Sequence, residues 1–120
     1  MSRYLFLAMA DCSDPSREDE FNKWYDEIHV PDILSAPGVI QGARYVNTDP
    51  EGNKRPKYLA VYEIETDDID KFDKELTEVI MKAREVGRGT DCVVPDRSVP
   101  LKRPYFKQIT PVKKAPKSKK

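Results

Sequence analysis

The side chains best suited to proton transfer cluster around the single histidine of the chain, His29. Imidazole is the side chain whose ordinary pKa lies closest to neutrality, so it exchanges protons readily there. His29 follows Tyr25 by four residues and Phe21 by eight, a spacing that on a helix places all three on one face. Asp26 and Asp32 flank it by three residues on either side. The pattern predicts a core-facing general base or acid whose ring one of these carboxylates orients or stabilises.

Three roles for His29 stay open at this point: catalysis, ligand binding without chemistry, and a structural bond to a backbone carbonyl. Burial disfavours the imidazolium and a helix C-terminus favours it, so the two effects oppose each other in setting its pKa. We favour catalysis, in which a well-placed proton-transfer group typically contributes ~10²–10⁴ in rate.

Other side chains are candidates for binding or polarising a substrate. A tyrosine hydroxyl, from Tyr25 or Tyr45 first, can stabilise a developing oxyanion, although strand tyrosines more often serve packing. Arg44 can hold a substrate carboxylate or pair with Glu63 across a hairpin, and the pairing is favoured. The substrate-binding candidates are Trp24, Asp26, Asp32, Arg44 and Tyr62.

The sequence carries no motif for a metal or a nucleotide. Cys12 and Cys92 are far apart, and one histidine without a second ligand at metal spacing does not predict a zinc site. Gly87-Arg88-Gly89 lacks the continuation of a phosphate-binding loop. We therefore expect no cofactor and no metal.

Charge and composition limit the partners and the cellular location that we expect for the protein. The chain has 120 residues with 21 basic and 21 acidic side chains. Five lysines and no acid lie in residues 111–120, which we expect to be a disordered tail outside a single domain at 1–110. We do not expect nucleic acid or a membrane as a partner, because the net charge is zero and no apolar run approaches ~20 residues. The two cysteines fit a reducing cytoplasm.

Hydrophobic periodicity predicts the order β-α-β-β-α-β. Strands are expected at Tyr4–Met9, Val39–Val46, Lys57–Glu65 and Tyr105–Ile109, and helices to about Val30 and from a cap at Thr66 or Asp67 to about Arg84. The segments 47–56 and 95–104 read as a turn and an irregular stretch. Pro31 should end or kink the first helix just after His29, with one further turn to Leu34.

This order predicts an α+β protein with the ferredoxin-like plait, in which two helices cover one face of a four-stranded antiparallel sheet. The first strand alternates two apolar sets, Leu5, Leu7 and Met9 against Tyr4, Phe6 and Ala8. A sheet face open to water is ordinarily polar. We therefore expect a second copy of the chain to cover the free face.

The run Trp24-Tyr25-Asp26-Glu27-Ile28-His29-Val30-Pro31-Asp32, closed by Ala36-Pro37-Gly38-Val39, resembles the dimeric α+β barrel superfamily and especially its EthD-like branch. The resemblance implies a homodimer that packs sheet to sheet into a barrel, with a pocket between sheet and helices where a histidine or tyrosine moves protons. Known activities of the superfamily include cyclases, isomerases, lyases, cofactor-free monooxygenases and haem enzymes. His29 is the residue that the matching motif carries over.

The sequence thus predicts a cofactor-independent lyase, cyclase or isomerase acting on a hydrophobic, aromatic or polyketide-like molecule, with His29, Tyr25 and Tyr45 as its catalytic residues. One alternative is a dimeric binding protein for a hydrophobic small molecule without catalysis. Another is a cofactor-free or haem oxygenase of the same superfamily. A nucleic-acid-binding plait that uses the lysine tail is a weaker third interpretation.

Overall fold

One antiparallel sheet organises the computed structural model, which describes residues 1–49, 57–95 and 103–117. Its strands are β1 (Ser2–Cys12), β2 (Val39–Val46), β3 (Tyr58–Thr66), β4 (Val93–Pro95) and β5 (Tyr105–Lys107). The order is β2-β3-β1, and both short strands pair with the remaining edge of β1, β5 near Phe6 and β4 near Cys12. Two short strands therefore share the fourth position of the predicted sheet. The ferredoxin-like α+β fold is confirmed.

The helical segments are a 3-10 turn (Pro15–Arg17), α1 (Glu18–Trp24), a π-helical turn (Tyr25–His29), α2 (Val30–Leu34) and α3 (Ile69–Glu85). The long helix α3 begins at a different cap from the one predicted. Asp68 is the N-cap, and its carboxylate accepts a hydrogen bond from the backbone N–H of Lys71 at 3.1 Å. Thr66 instead accepts from the N–H of Asp68. The prediction of Thr66 or Asp67 as the cap is therefore wrong by one or two positions.

The first helix passes through Pro31 without breaking. Proline donates no backbone hydrogen bond, and its ring crowds the carbonyl four residues earlier, here that of Glu27. The π turn from Tyr25 to His29 accommodates this irregularity: the N–H of Val30 donates to the carbonyl of Tyr25, five residues back. The expected further turn is present as α2. Of the predicted end or kink after His29, the end does not occur, because the helix continues into α2 through a wider turn at Tyr25–His29.

Alternation along the strands separates a buried sheet face from an open one. The helix-facing side carries the core, which comprises Phe6, Ala10, Ala60, Tyr62 and Ile64 from the sheet and Phe21, Tyr25, Ile33, Phe72 and Leu76 from the helices. The opposite face is also apolar, with Leu7 paired to Val61 and Met9 paired to Leu59. On this open face Tyr45 is 55% exposed. The dimer that would cover it stays a prediction.

Parts of the predicted loops lie outside the described residues, namely 50–56 of the predicted turn and 96–102 of the irregular stretch. Residues 111–117 are exposed and form neither helix nor strand, and the division into a domain and a disordered tail stays a prediction. Within the described part of the chain, no helix is long and apolar enough to cross a membrane.

Candidate functional site

His29 closes the π turn and lies among aromatic rings. Its imidazole stacks on the Trp24 indole with 4.7 Å between ring centroids and 19° between planes, and it meets the Tyr25 ring edge-on at 5.0 Å. Burial lowers the pKa of His29 from 6.5 to about 4; the Asp32 carboxylate opposes this shift and Arg84 adds to it. The ring is therefore neutral at pH 7 and presents a nitrogen lone pair that can accept a proton.

Asp32 is held in place by an arginine from beyond α3. The Arg88 guanidinium grips its carboxylate with Nε–Oδ2 and Nη2–Oδ1 distances of 2.9 Å each. The Arg88 carbonyl also accepts a hydrogen bond from the Trp24 indole Nε1 at 2.8 Å. This connection ties the segment after α3 to the first helix, next to His29. Asp32 thus acts on the histidine through its charge, in the direction that raises the pKa of His29.

Arg44 reaches from β2 toward the first helix, where its side chain is only 14% exposed. Nη1 donates to Oδ1 of Asp26 at 2.7 Å and Nη2 donates to Oδ1 of Asn22 at 2.9 Å. Its guanidinium carbon lies 4.6 Å from the centroid of the Tyr25 ring and 5.1 Å from that of Tyr58. A cation held against aromatic faces gains electrostatic attraction while losing water. The result is a largely buried positive charge beneath the π turn.

The predicted pairing of Arg44 with Glu63 is wrong, because the two side chains lie on opposite faces of the sheet. Arg44 is opposite Ala60 in the β2–β3 register, on the helix side, whereas Glu63 is opposite Gln41 on the open face. Glu63 there accepts a hydrogen bond from Gln41 and lies 3.7 Å from the guanidinium of Arg3. Successive side chains along a strand point to opposite faces of the sheet, so the side chains of Arg44 and Glu63 cannot meet in this register.

Tyr62 lies in the core beside Arg44, with 1% of its surface exposed. Its ring packs against Phe6 at 5.7 Å and covers Gly42, its partner on β2. The Tyr62 hydroxyl is buried and has no hydrogen-bond partner among the described residues. Burial raises the pKa of Tyr62 well above its usual value; Tyr25 adds to this shift and Arg44 opposes it. The phenol thus stays protonated and retains an unused donor.

The structure brings five of the predicted site residues into one region between the first helix and the sheet: Trp24, Tyr25, His29, Arg44 and Tyr62. Asp26 and Asp32 lie at its borders, each paired with an arginine. Tyr45 lies apart, on the open face of the sheet, and does not join His29 within one chain.

Sequence reasoning missed two residues of this region. Asn22 accepts from Arg44 and donates from Nδ2 to the Tyr58 hydroxyl at 3.2 Å. In the sequence, Arg88 stands out only as part of a glycine-rich segment. No sequence signal connects it to Asp32, 56 positions away. Within the described ranges, no group of three metal-ligating side chains is placed to hold an ion.

Comparisons with known proteins identify solved structures that have the same fold as this chain. No family model matches the chain, and no curated protein matches its sequence. Solved structures that share its architecture include an EthD family protein from Bacillus halodurans C-125, with 13% identity and a TM-score of 0.52 over 79% of this chain and 94% of that one. This chain has the fold of an EthD family protein. The resemblance noted at the end of the first helix is therefore confirmed at the level of the fold.

Two further structures cover nearly the whole chain. A candidate monooxygenase from Shewanella loihica PV-4 has 12% identity and a TM-score of 0.55, covering 92% of this chain and 99% of that one. HapK from Hahella chejuensis has 13% identity and a TM-score of 0.54, covering 97% and 100%. At such identities the EthD-like fold is shared, and the chemistry must be argued from this chain's own residues.

Proposed function

We propose that this EthD-like protein is a cofactor-independent enzyme that moves a proton on a hydrophobic, aromatic or polyketide-like small molecule, as a lyase, cyclase or isomerase. The observation that carries the proposal is the environment of His29. It is a neutral imidazole held between the Trp24 face and the Tyr25 edge. The Tyr25 ring also contacts the largely buried cation of Arg44. Aromatic walls with a few placed polar groups are typical of small-molecule sites.

In the proposed reaction, a neutral His29 nitrogen removes a proton from a carbon next to a carbonyl. The electron pair of the broken C–H bond moves to the carbonyl oxygen, and the proton stays on the imidazole until it is returned to the product. The Asp32 charge favours the imidazolium, the direction it already exerts on the pKa of His29. Fixed donors around the oxygen lower the barrier because they need not reorganise during the reaction.

A homodimer completes the proposal. The open sheet face carries apolar pairs such as Leu7–Val61 and Met9–Leu59, and Tyr45 and Phe106 are each more than half exposed there. Burying such a face gains roughly 25 cal/mol per Å² of apolar surface. Sheet-to-sheet packing of two copies would cover it and leave the His29 region of each chain on the outer side of the sheets.

The test is turnover of a panel of aromatic and polyketide-type carbonyl compounds under air, without added cofactor, followed by mass spectrometry. We compare the wild type with His29→Ala and with Val86→Ala, a control at a position 73% exposed beyond α3. A compound consumed by the wild type and Val86→Ala, and at least 100-fold more slowly by a folded His29→Ala, supports the proposal. Equal turnover by His29→Ala contradicts it.

An oxygenase is the second candidate, since one protein of the same fold is a candidate monooxygenase. The same incubations separate the two by product mass. A gain of one oxygen atom under air, absent under nitrogen, indicates oxygenation, and an unchanged mass indicates isomerisation or cyclisation. Saturable binding with the ligand recovered unchanged, and unaffected by His29→Gln, would instead favour a binding protein.

A further inference from the structure

The Tyr62 hydroxyl is a buried polar group that the described fold leaves unused. Its side chain is 1% exposed, and the oxygen has no hydrogen-bond partner among the described residues. An unsatisfied buried polar group destabilises the folded state, whereas phenylalanine would fill the same space without that cost. The chain therefore carries a penalty at Tyr62 that packing alone does not explain.

The surroundings of Tyr62 fix its ring and supply a charge. The ring is held between Phe6 and the bare backbone of Gly42, where an added Cβ would come within 2.6 Å of the Tyr62 ring. Arg44 lies two residues beyond Gly42 on the same side of β2, so its side chain is the diagonal neighbour of Tyr62. A fixed phenol donor and a cation are thus placed side by side under the first helix.

Arg44 retains hydrogen-bonding capacity in this position. A guanidinium has five N–H donors. The hydrogen bonds to Asp26 and Asn22 use one N–H group of Nη1 and one of Nη2. Asp26 is 62% exposed at the outer side, whereas the Arg44 side chain is 14% exposed. The charge of Asp26 is thus largely in water, and the buried part of the arginine keeps donors for another group.

We propose that the Tyr62 hydroxyl and the Arg44 guanidinium together bind an anionic oxygen of an aromatic ligand. This inference rests on the proposed function for its reaction and names the substrate class of that site: a planar aromatic compound bearing a carboxylate, phenolate or enolate oxygen. Hydrogen bonds to charged groups are about twice as strong as neutral ones. When His29 removes a carbon-bound proton, the oxyanion that forms accepts its hydrogen bonds from Tyr62 and Arg44.

Tyr25 controls access to this pair. Its ring meets His29 edge-on at 5.0 Å and lies 4.6 Å from the Arg44 guanidinium carbon, so it occupies the space between base and cation. Because the Tyr62 hydroxyl is closed to solvent, a ligand reaches it when the Tyr25 ring moves aside. Tyr25 begins the π turn, a rare helical form that is frequent at functional sites. An aromatic ligand would then take the place of the Tyr25 ring.

The test measures binding without requiring turnover. Isothermal titration calorimetry at pH 7 compares 1-naphthoate and benzoate with their uncharged counterparts, 1-naphthamide and benzamide. We expect each anion to bind the wild type at least tenfold more tightly than its amide. Tyr62→Phe should weaken anion binding about tenfold, and Arg44→Lys should weaken it as well, because lysine keeps the charge and loses the planar donor set. Val86→Ala, at a position 73% exposed beyond α3, should bind like the wild type.

The outcomes separate this inference from the proposed function. Anion binding that depends on Tyr62, in a protein without detectable turnover, supports this inference and contradicts the proposed enzymatic function. Turnover that depends on His29 and is unchanged in Tyr62→Phe supports the proposed enzymatic function and contradicts this inference. Absence of saturable anion binding to the wild type, or equal binding by Tyr62→Phe, overturns it too. Thermal unfolding of Tyr62→Phe at or above the wild-type temperature shows that a loss of binding is not a loss of fold.

Discussion

The imidazole of His29 stacks on the indole of Trp24, with 4.7 Å between ring centroids and only 19° between their planes. An indole face attracts a cation, so this contact by itself favours the imidazolium. Burial acts more strongly in the opposite direction, and the pKa of His29 lies at about 4. The histidine is thus a neutral base because burial outweighs the attraction of the indole face for a positive charge.

Protein stability should fall between pH 6.5 and pH 4 because of His29. The unfolded chain protonates this ring near pH 6.5 and the folded chain near pH 4, so the unfolded state binds more protons in that window. The contribution is complete above pH 6.5 and is lost as the pH falls through the window, by up to about 3 kcal/mol. We expect the free energy of unfolding in urea to drop more between pH 7.5 and 4.5 in the wild type than in His29→Gln. Carboxylates titrate in both proteins and cancel in this difference, so equal losses would contradict the prediction.

The acid limb of the pH–rate profile should lie unusually low. The value of kcat/KM follows the ionisation of the free enzyme, and the base proposed here has a pKa of about 4. For a substrate without ionisation in the range, we expect kcat/KM to stay level from pH 7 down to about pH 5 and to fall by half near pH 4. A midpoint at the ordinary histidine value of 6.5 would show that the ring is not buried in the working enzyme.

Gly42→Ala should disturb the Tyr62 ring. A Cβ at Gly42 would come within 2.6 Å of a Tyr62 ring carbon, so the phenol must shift. Overpacking of this kind typically costs about 1–3 kcal/mol. We expect a lower free energy of unfolding in Gly42→Ala. Gly89→Ala is the matched control, because its Cβ meets only the flexible Arg84 side chain at 3.4 Å. Equal stability of the two variants would mean that Tyr62 has room to move.

The open face of the sheet should hold a dimer together. Val61 lies at the centre of that face, opposite Leu7 on β1 and Ala43 on β2. Placing a charge there without a partner disfavours burial against a second copy. We expect light scattering to give twice the chain mass for the wild type and a shift toward the monomer for Val61→Glu. Val86→Glu, at a position 73% exposed beyond α3, should remain dimeric. A monomeric wild type would contradict the predicted assembly.

Much of the fold follows from patterns that are local in the sequence. Strand alternation predicts β1, β2 and β3, and the helical stripe predicts α3, because a single periodicity runs through each. The fourth sheet position was harder to predict, since two strands of three residues each, β4 and β5, share it. Strands this short hold too few residues for alternation to be visible.

The candidate site was predictable where its residues lie on one helix and less so where it joins distant segments. Spacing alone grouped Phe21, Tyr25 and His29 on one face of the first helix. The face on which a strand residue lies follows from its register, however, and an error of one position reverses it. The register places Tyr45 on the open face of the sheet, away from His29. It also places Arg44 and Glu63 on opposite faces. Gly42 was the available signal, since glycine in a strand often marks a close approach, here by the Tyr62 ring.

The π turn has a consequence for sequence alignment. Its five-residue hydrogen bond makes it equivalent to one residue inserted into an α-helix. A related chain without this insertion would have one residue fewer before Pro31. Its helical faces beyond that point would match this chain only across a one-residue gap. An ungapped alignment would place a different residue opposite His29, offset by about 100° around the helix axis. Comparison of this motif across distant relatives should therefore rest on the superposed helix axes.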